Sequence, residues 1–554
     1  MALDEEFYID IIQFKSDKST IQVFAHYKQL QSSKDKISFT INNETIKHKT
    51  YIREDLESTQ FTKGYINRGY SFEFEWKDEC DLQILKNDEC QKINYSVCSK
   101  LSRLPQCFKE ENGFVFNHND TAITIKRKKL LNLTVREIRF WGSGIAEYGV
   151  FRGLQAMKLR TQIRIARKLF GYNKTLITDR INAGSDNGEA LYRYLKDKNC
   201  KGLAYLILPD SDDGKRLKKE GFNIIEPFSK KHFFHFFTSS NIASSSFDAL
   251  VTNPFKKYIS KDKPSYLTNM NIDLYFGLLD YKYIFLTHGQ TKNDMTKIFR
   301  KENKNFSFIL TNNEKEAEHF TNANYNFRDK EIIPTGQPRF DYLKTPNDAD
   351  YSKENIITIM PTWRKGLLPD NFVNGQRVYY NDFKETDLFQ FYNSILANQK
   401  LIDALEKYNF SINFLVHPAL VQQIDDFKSA HKRIKILTPP YNFAELANKT
   451  KIFVTDYSSI FFDFAYTGAC VIYSQFDRET FFTRQKYSET FWTYKENGLG
   501  PITENSDKTC KKIIEYIKRD GKAESKYLKR YNLSFPFTDK NFSKRVAQTA
   551  NLVN

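Results

Sequence analysis

Four stretches of this sequence share one design: an apolar, β-branched run that stops abruptly in side chains able to do chemistry. YKYIFLTHGQTKND places His288 and Gly289 after such a run, with Lys292 a turn later. IITIMPTWRKG sets Thr362, Trp363 and Arg364 behind a break at Pro361, and INFLVHPAL ends on His417-Pro418. KIFVTDYSSIFFDFAYTGACVIY passes through Asp456, Ser458 and Ser459 into an apolar helix that carries Asp463 and is stopped by Gly468. A neutral imidazole can take the proton of an attacking hydroxyl. A second histidine, an arginine, and serines with free N–H groups at a helix start can hold a pyrophosphate and the charge that builds on it. Each feature alone has a plainer explanation, since a single histidine after a strand is usually structural and a serine before a helix usually caps it. Two of the nine histidines in this setting, with an arginine and a paired-serine turn, point instead to transfer of a phosphate group. The sequence contains no G-x-S-x-G, H-E-x-x-H, G-x-G-x-x-G or G-x-x-x-x-G-K-[ST], which argues against a serine hydrolase, a zinc peptidase, a dinucleotide enzyme and a P-loop ATPase.

The elements that carry these loops alternate between strand and helix from about Tyr172. Strands are expected at Lys174–Thr178, Gly202–Leu208, Ala249–Val251, Tyr283–Leu286 and Phe306–Thr311, with a helix over Asp186–Asp197. A second series begins near Asn355, with strands at Ile356–Met360, Ile412–Val416, Lys451–Thr455 and Ala469–Tyr473. Its helices are expected at Phe389–Lys407, Phe443–Asn448 and Ile460–Thr467. This is the pattern of α/β architecture with two Rossmann-like domains, whose ligand loops leave the carboxyl ends of parallel strands and face a cleft. Ahead of them, short alternating runs such as Phe7–Phe14, Thr20–His26, Ile37–Ile41, Thr45–Lys49, Tyr70–Trp76 and Thr121–Lys126 predict a β-sandwich-like module, with a hairpin turn at Asn42-Asn43-Glu44. The expected division is 1–125 (β-rich accessory module), 126–170 (basic helical connector), 171–345 (first Rossmann-like domain, with the candidate base) and 346–554 (second domain, on the donor side, with a helical tail).

Composition narrows the partners. The 554 residues are 40% hydrophobic and 27% charged, as expected of a folded chain, and carry a net charge of +17, which suits polyanions or an anionic surface. No run approaches eighteen apolar residues, and the acidic start MALDEEFYIDIIQF is unlike a secretory signal. Seven cysteines without a C-x-x-C pair, among them Cys80, Cys90, Cys98 and Cys107, read as reduced buried thiols rather than disulfides or a zinc site. The basic run Lys126–Lys129 and the helical stretch Phe151–Phe170, with Arg152, Lys158, Arg160, Arg164, Arg167 and Lys168, allow two expectations. The helix lies on an anionic membrane anchored by Phe140, Trp141 and Phe151, or it packs as a connector with its charges in solvent; nucleic acid is not expected as a partner, because no reading motif accompanies the charge.

Taken together and in order, HGQTKND, TGQPRFD, PTWRKG, VHPAL and TDYSSIFFDFAYTG resemble the CDP-glycerol glycerophosphotransferase family, the teichoic-acid and capsule alditol-phosphate transferases and polymerases. The likeness spans roughly Tyr172 to Asn505. It implies a glycosyltransferase-B-like pair of domains, peripheral attachment to the cytoplasmic face of the membrane, and CDP-glycerol or CDP-ribitol as donor. A hydroxyl of a lipid-linked polymer would attack the distal phosphorus and release CMP. By motif, His288 corresponds to the base, and His417 and Arg364 to phosphate contacts. Ser458 and Ser459 match the pyrophosphate pair, with Thr362, Asp456 and Asp463 in the surrounding loops and Gly289 and Lys292 as further members of the first loop. Departures are Gln290-Thr291, where the family commonly has Thr-Pro, and Ser185-Asp186-Asn187-Gly188 at the first helix. No resident cofactor is expected, the CDP-alditol being a co-substrate, and no carboxylate cluster suggests a metal site. Two alternatives remain open at this point: a nucleotide-sugar glycosyltransferase of the same fold, and a non-catalytic protein that binds polyanions or membranes.

Overall fold

Alternating apolar residues build the N-terminal module as two facing sheets. The computed structural model describes residues 5–553 except 16–18, 31–32, 57–64, 77–78, 97–107, 112–113, 119–120, 128–129, 248–250, 252–253, 255–276, 279, 305, 323, 369–371, 374–375, 430, 440 and 486–488. One sheet runs Lys49–Ile52, Tyr65–Glu75, Thr20–Leu30, Glu6–Phe14, Ile93–Tyr95; the other runs Phe108–Glu111, Phe114–His118, Ala122–Arg127, Glu79–Lys86, Ile37–Ile41, Glu44–Ile46. Ile9, Phe39, Phe72, Leu82 and Ile125 meet between them. The predicted hairpin closes through Asn42 and Asn43, both at positive φ (50° and 68°), and Asn87-Asp88 repeats the device (51° and 68°). Two left-handed central residues match the twist of the flanking strands, and Asn and Asp tolerate that conformation best. Cys98 and Cys107 lie outside the described residues, as do Lys128 and Lys129. Cys80 is buried as expected, whereas Cys90 is exposed, because it sits on the short outer strand Glu89–Cys90.

The connector is a helical hairpin of Leu130–Tyr148 and Val150–Phe170, reversed at Gly149 with φ 82°. The two helices touch closely near the turn, where a Cβ on Gly153 would fall 2.1 Å from Ile145 Cγ1. Much of the basic face turns inward. Arg160 is fully buried, forks onto Glu137 at 2.8 and 3.0 Å and stacks on Phe140 at 4.1 Å. Arg164 reaches the same carboxylate at 2.9 Å, and Arg167 donates to the Phe237 carbonyl at 2.7 Å. Phe140 is buried and Trp141 packs on the core of the β-rich module, so neither is a surface anchor. The physical reason is Glu137, a single buried carboxylate that two arginines neutralise. Val150, Phe151 and Leu154 stay exposed at the turn. Among the described residues no helix is long and apolar enough to cross a membrane.

Each of the two lobes that follow is a parallel sheet. The first lobe has the order Ile224–Ile225, Leu203–Leu206, Lys174–Thr178, Ser239–Ser244, Lys282–Phe285, Phe308–Thr311, Ile332–Pro334; the second has Ile434–Leu437, Ser411–Leu415, Glu354–Met360, Thr450–Thr455, Cys470–Ser474, Ile502–Thr503. In both, the order reverses beside the first strand in the chain, which opens a crevice at the carboxyl ends. Two expectations need correction. The strand foreseen at Ala249–Val251 lies largely outside the described residues, and Val251 itself is helical. The central strand of the first lobe is instead Ser239–Ser244. The helix foreseen over Phe389–Lys407 is two, Asp387–Leu396 and Gln399–Lys407, because the Asn398 side chain accepts from the Leu401 N–H and starts a new helix.

The chain crosses between the lobes twice. It leaves the first through Pro338–Tyr342 and returns at its end, where helix Phe542–Thr549 lays Val546, Ala547 and Ala550 against Ile177, Leu191 and Ile284 of the first lobe. Asp341 caps that last helix, accepting from the N–H groups of Phe542 and Ser543 at 2.9 Å each. The β-rich module docks on the segment that follows the His288 loop: Arg53 donates to Asn303 at 2.9 Å, Tyr51 to Glu302 at 2.5 Å, and Arg300 to Asp55 at 3.2 Å.

Candidate active site

His288 stands just beyond the strand Lys282–Phe285 on a backbone held in an unusual shape. Thr287 before it has φ 54°, and Ser185, which precedes its partner Asp186, has φ 63°. A left-handed β-branched residue is strained and persists only when its surroundings fix it. Here Asn187 Nδ2 donates to the Leu286 and Thr287 carbonyls at 3.0 and 2.9 Å, and Gln337 Nε2 donates to the Thr287 hydroxyl at 3.2 Å. The strain aims His288 Nδ1 at Asp186 Oδ2, 3.1 Å away. Burial alone would raise the Asp186 carboxyl, but the Arg339 guanidinium and His288 outweigh it and hold the group down at about 2. An ionised Asp186 accepts the Nδ1–H and leaves Nε2 as the basic nitrogen.

The His288 loop meets the serine turn of the opposite lobe. A Cβ on Gly289 would lie 3.4 Å from Ser459 Oγ and 3.6 Å from Arg339 Nη2. Asn293, further along the loop, forms an antiparallel bridge with Glu489 of the second lobe. Lys292 lies between them, 6% exposed, with Nζ over the Tyr494 ring at 5.4 Å. Burial lowers its ammonium to about 8, against the pull of Asp456 and Glu489.

In the second lobe Asp456 is a buried hub rather than a helix cap. Its carboxylate accepts from the N–H groups of Thr362 (2.9 Å) and Tyr457 (2.7 Å) and pairs with Arg364 at 2.8 Å. Arg364 is itself 4% exposed, forked onto Asp477 at 2.7 and 3.1 Å and set among Tyr457, Phe476 and Phe481. Its guanidinium thus braces the Thr362 and Ser458 loops from behind. Ser458 Oγ accepts from the Ile460 N–H at 3.3 Å, and both serines are half-buried at the entrance to the short helix Phe461–Tyr466. Asp463 in that helix reaches back across the cleft to Arg339. His417, beyond strand Ser411–Leu415, is pushed down to about 4 by burial and by Arg180 of the first lobe, with Asp456 pulling the other way.

Residues 163–551 match the family described as CDP-glycerol:poly(glycerophosphate) glycerophosphotransferase. The chain belongs to this family. It is 31% identical over 499 residues to the minor teichoic acid biosynthesis protein GgaB of Bacillus subtilis (strain 168), covering 88% of this chain and 52% of that protein. It is 27% identical over 255 residues to the teichoic acid poly(glycerol phosphate) polymerase of the same strain, covering 44% of this chain and 31% of that protein. The chain therefore spans about half the length of the first relative and less of the second. A solved structure of the wall teichoic acid polymerase TagF superimposes with a TM-score of 0.50 at 15% identity, covering 76% of this chain and 98% of that one, which establishes the shared fold.

Within this family member, the structure brings His288, Gly289 and Lys292 of one lobe against Ser459, Asp463 and the Asp456 hub of the other. Thr362 and Arg364 join that hub. Sequence reasoning missed the groups that orient these residues. Asp186 was legible only as a helix cap, although it also holds the histidine. Arg339 stood inside TGQPRFD without a role, and nothing local marked Asp477 or Arg180.

Proposed function

We propose that the chain transfers glycerol phosphate or ribitol phosphate from a CDP-alditol to a hydroxyl of a lipid-linked, teichoic-acid-like or capsular polymer. One observation carries the reading: His288, oriented by an ionised Asp186 at 3.1 Å, sits on a loop whose next residue, Gly289, lies so near the Ser459 turn of the opposite lobe that a Cβ on it would be 3.4 Å from Ser459 Oγ. A base and an anion-holding turn then face one reacting phosphorus from two sides. His288 Nε2 takes the proton as the acceptor oxygen bonds to the alditol-bearing phosphorus, and the phosphoanhydride bond breaks with its electron pair leaving on CMP. Ser458, Ser459, Thr362 and the neutral imidazole of His417 hold the pyrophosphate by hydrogen bonds. Lys292 adds a positive charge from the first lobe. Arg364 and Asp456 act at one remove, by fixing the loops that touch the donor. The exposed Val150, Phe151 and Leu154, rather than the internal arginines, are the surface by which the hairpin would rest on a membrane.

The test is CMP release by the purified chain with CDP-glycerol, CDP-ribitol and UDP-sugars offered side by side with a polymer acceptor. Turnover of a CDP-alditol that His288→Ala abolishes, in a variant that stays folded, is the expected result. Turnover confined to a UDP-sugar, or undiminished in His288→Ala, overturns the reading.

A further inference from the structure

Four side chains form a continuous ladder across the cleft. His288 Nδ1 meets Asp186 Oδ2 at 3.1 Å, and the other oxygen, Oδ1, accepts from Arg339 Nη1 at 2.8 Å. Arg339 then forks onto the second lobe, with Nε to Asp463 Oδ1 at 2.6 Å and Nη2 to Asp463 Oδ2 at 3.0 Å. The rungs come from three parts of the chain. Asp186 and His288 belong to the first lobe, and Arg339 to the crossing segment Pro338–Tyr342. Asp463 lies in helix Phe461–Tyr466, immediately behind the Ser458–Ser459 turn. The arginine is braced from its own side as well. Gln337 Oε1 accepts from Nη1 at 3.2 Å, and the Arg339 backbone N–H donates to Asn187 Oδ1 at 3.1 Å. Asp186, Arg339 and Asp463 are largely buried, so water substitutes poorly for a lost partner among them.

We propose that Arg339 is a positioning residue that couples the seating of the donor lobe to the orientation of the His288 base, through Asp186 on one side and Asp463 on the other. The inference rests on His288 being the base. Its physical content is the geometry of one carboxylate whose Oδ2 faces His288 while Oδ1 is shared between Arg339 and the Asn187 N–H at 2.8 Å. With Asp463 in place, the guanidinium spends its fork on the second lobe and takes a single oxygen of Asp186. The other oxygen is left for the imidazole, and a carboxylate claimed at both ends cannot rotate. When the second lobe moves away, the fork is vacant and turns onto Asp186, since a guanidinium matches a carboxylate best with two parallel N–H groups. The imidazole then loses the acceptor that fixes its tautomer and its aim. The base is thereby ready only when the turn that holds the donor is beside it.

The experiment uses the full chain with CDP-glycerol and CDP-ribitol. Asp463→Asn should lower kcat at least tenfold while donor KM stays within about twofold, and Asp463→Glu should recover most of the loss. The double variant Asp186→Asn with Asp463→Asn should be no slower than Asp186→Asn alone, because both changes act on the same imidazole. Histidine-selective ¹⁵N NMR gives a readout that needs no turnover. The His288 signal should report the Nδ1–H form in the parent chain and a mixture of tautomers in Asp463→Asn. Losses that multiply in the double variant, an effect confined to donor KM, or an unchanged His288 signal would each overturn the coupling. Full turnover by His288→Ala defeats the base assignment itself, whereas the NMR comparison still decides whether the ladder orients the ring. Thermal melts of every variant separate these outcomes from simple unfolding.

Discussion

His288 and His417 occupy equivalent places, each just past the carboxyl end of a strand in its own lobe, yet their surroundings differ in sign. His288 faces the carboxylate of Asp186 and is about one-third exposed. His417 is more enclosed and has the cation of Arg180 in its field, so its imidazole is pushed down to about 4 and stays neutral at physiological pH. The carboxylate beside His288 fits the proposed base, whereas burial first and the Arg180 cation second hold the His417 ring as a neutral hydrogen-bonding group, against the pull of Asp456. Fold position brings both rings to the cleft. In the proposed reaction, burial and nearby charge together divide the work between them.

The comparison breaks most visibly through the two rings themselves. His288→Ala and His288→Gln should both lower CMP release by about a thousandfold, within the range of a lost general base, with donor affinity little changed. His417→Gln, which keeps a neutral donor, should retain most donor affinity, while His417→Ala should weaken it. Equal losses in the two glutamine variants would erase the proposed distinction. Next in size, Arg364→Met leaves Asp456 and Asp477 without their shared cation. Urea denaturation should show a loss of about 3 kcal/mol, typical of one partner removed from a buried ion pair. Smaller still, Ser458→Ala with Ser459→Ala should weaken donor binding about tenfold by calorimetry, the size of one or two hydrogen bonds. An unaltered affinity would reduce the serine turn to a helix entrance.

Acid titration sharpens the same contrast. The folded value of His417, about 4, lies below its ordinary 6.5, so the unfolded chain binds the proton more readily between those values. This residue's contribution to stability is complete above pH 6.5 and lost as the pH falls toward 4. Asp186, at about 2 against an ordinary 3.8, contributes stability that is present above 3.8 and lost only as the pH falls toward 2. The unfolding free energy should therefore decline in two successive windows. His417→Gln should lessen the upper decline, which the buried His232 at about 4 shares, and Asp186→Asn the lower one, shared with lowered carboxylates such as Asp10 and Glu137.

The chemical loops and the two-lobed fold were legible because an apolar strand ending in polar groups is a local pattern. Ser239–Ser244 escaped because a central strand packed with small residues need not be apolar, and only Ile242 and Ala243 mark it. The basic helix was visible from its periodicity, but periodicity does not say what the charged face meets. Glu137, on the preceding helix, decided that. The ladder through Arg339 was beyond local reading for a simpler reason: its partners Asp186 and Asp463 lie 153 and 124 residues away. For the same reason Arg364, expected at the phosphate, proved to be enclosed by Asp456 and Asp477, a burial that no neighbouring residue announces.

The last helix, Phe542–Thr549, completes the wall of the lobe that the chain left two hundred residues earlier. The lobes therefore cannot be traded between relatives as beads on a string. A chimaera joined only at the crossing segment would pair a foreign final helix with the native groove of Ile177, Leu191 and Ile284. A gene fragment ended after that segment would leave the groove open to solvent. Any recombination that preserves the molecule needs two seams, with the terminal helix inherited alongside the lobe it covers rather than the one it follows.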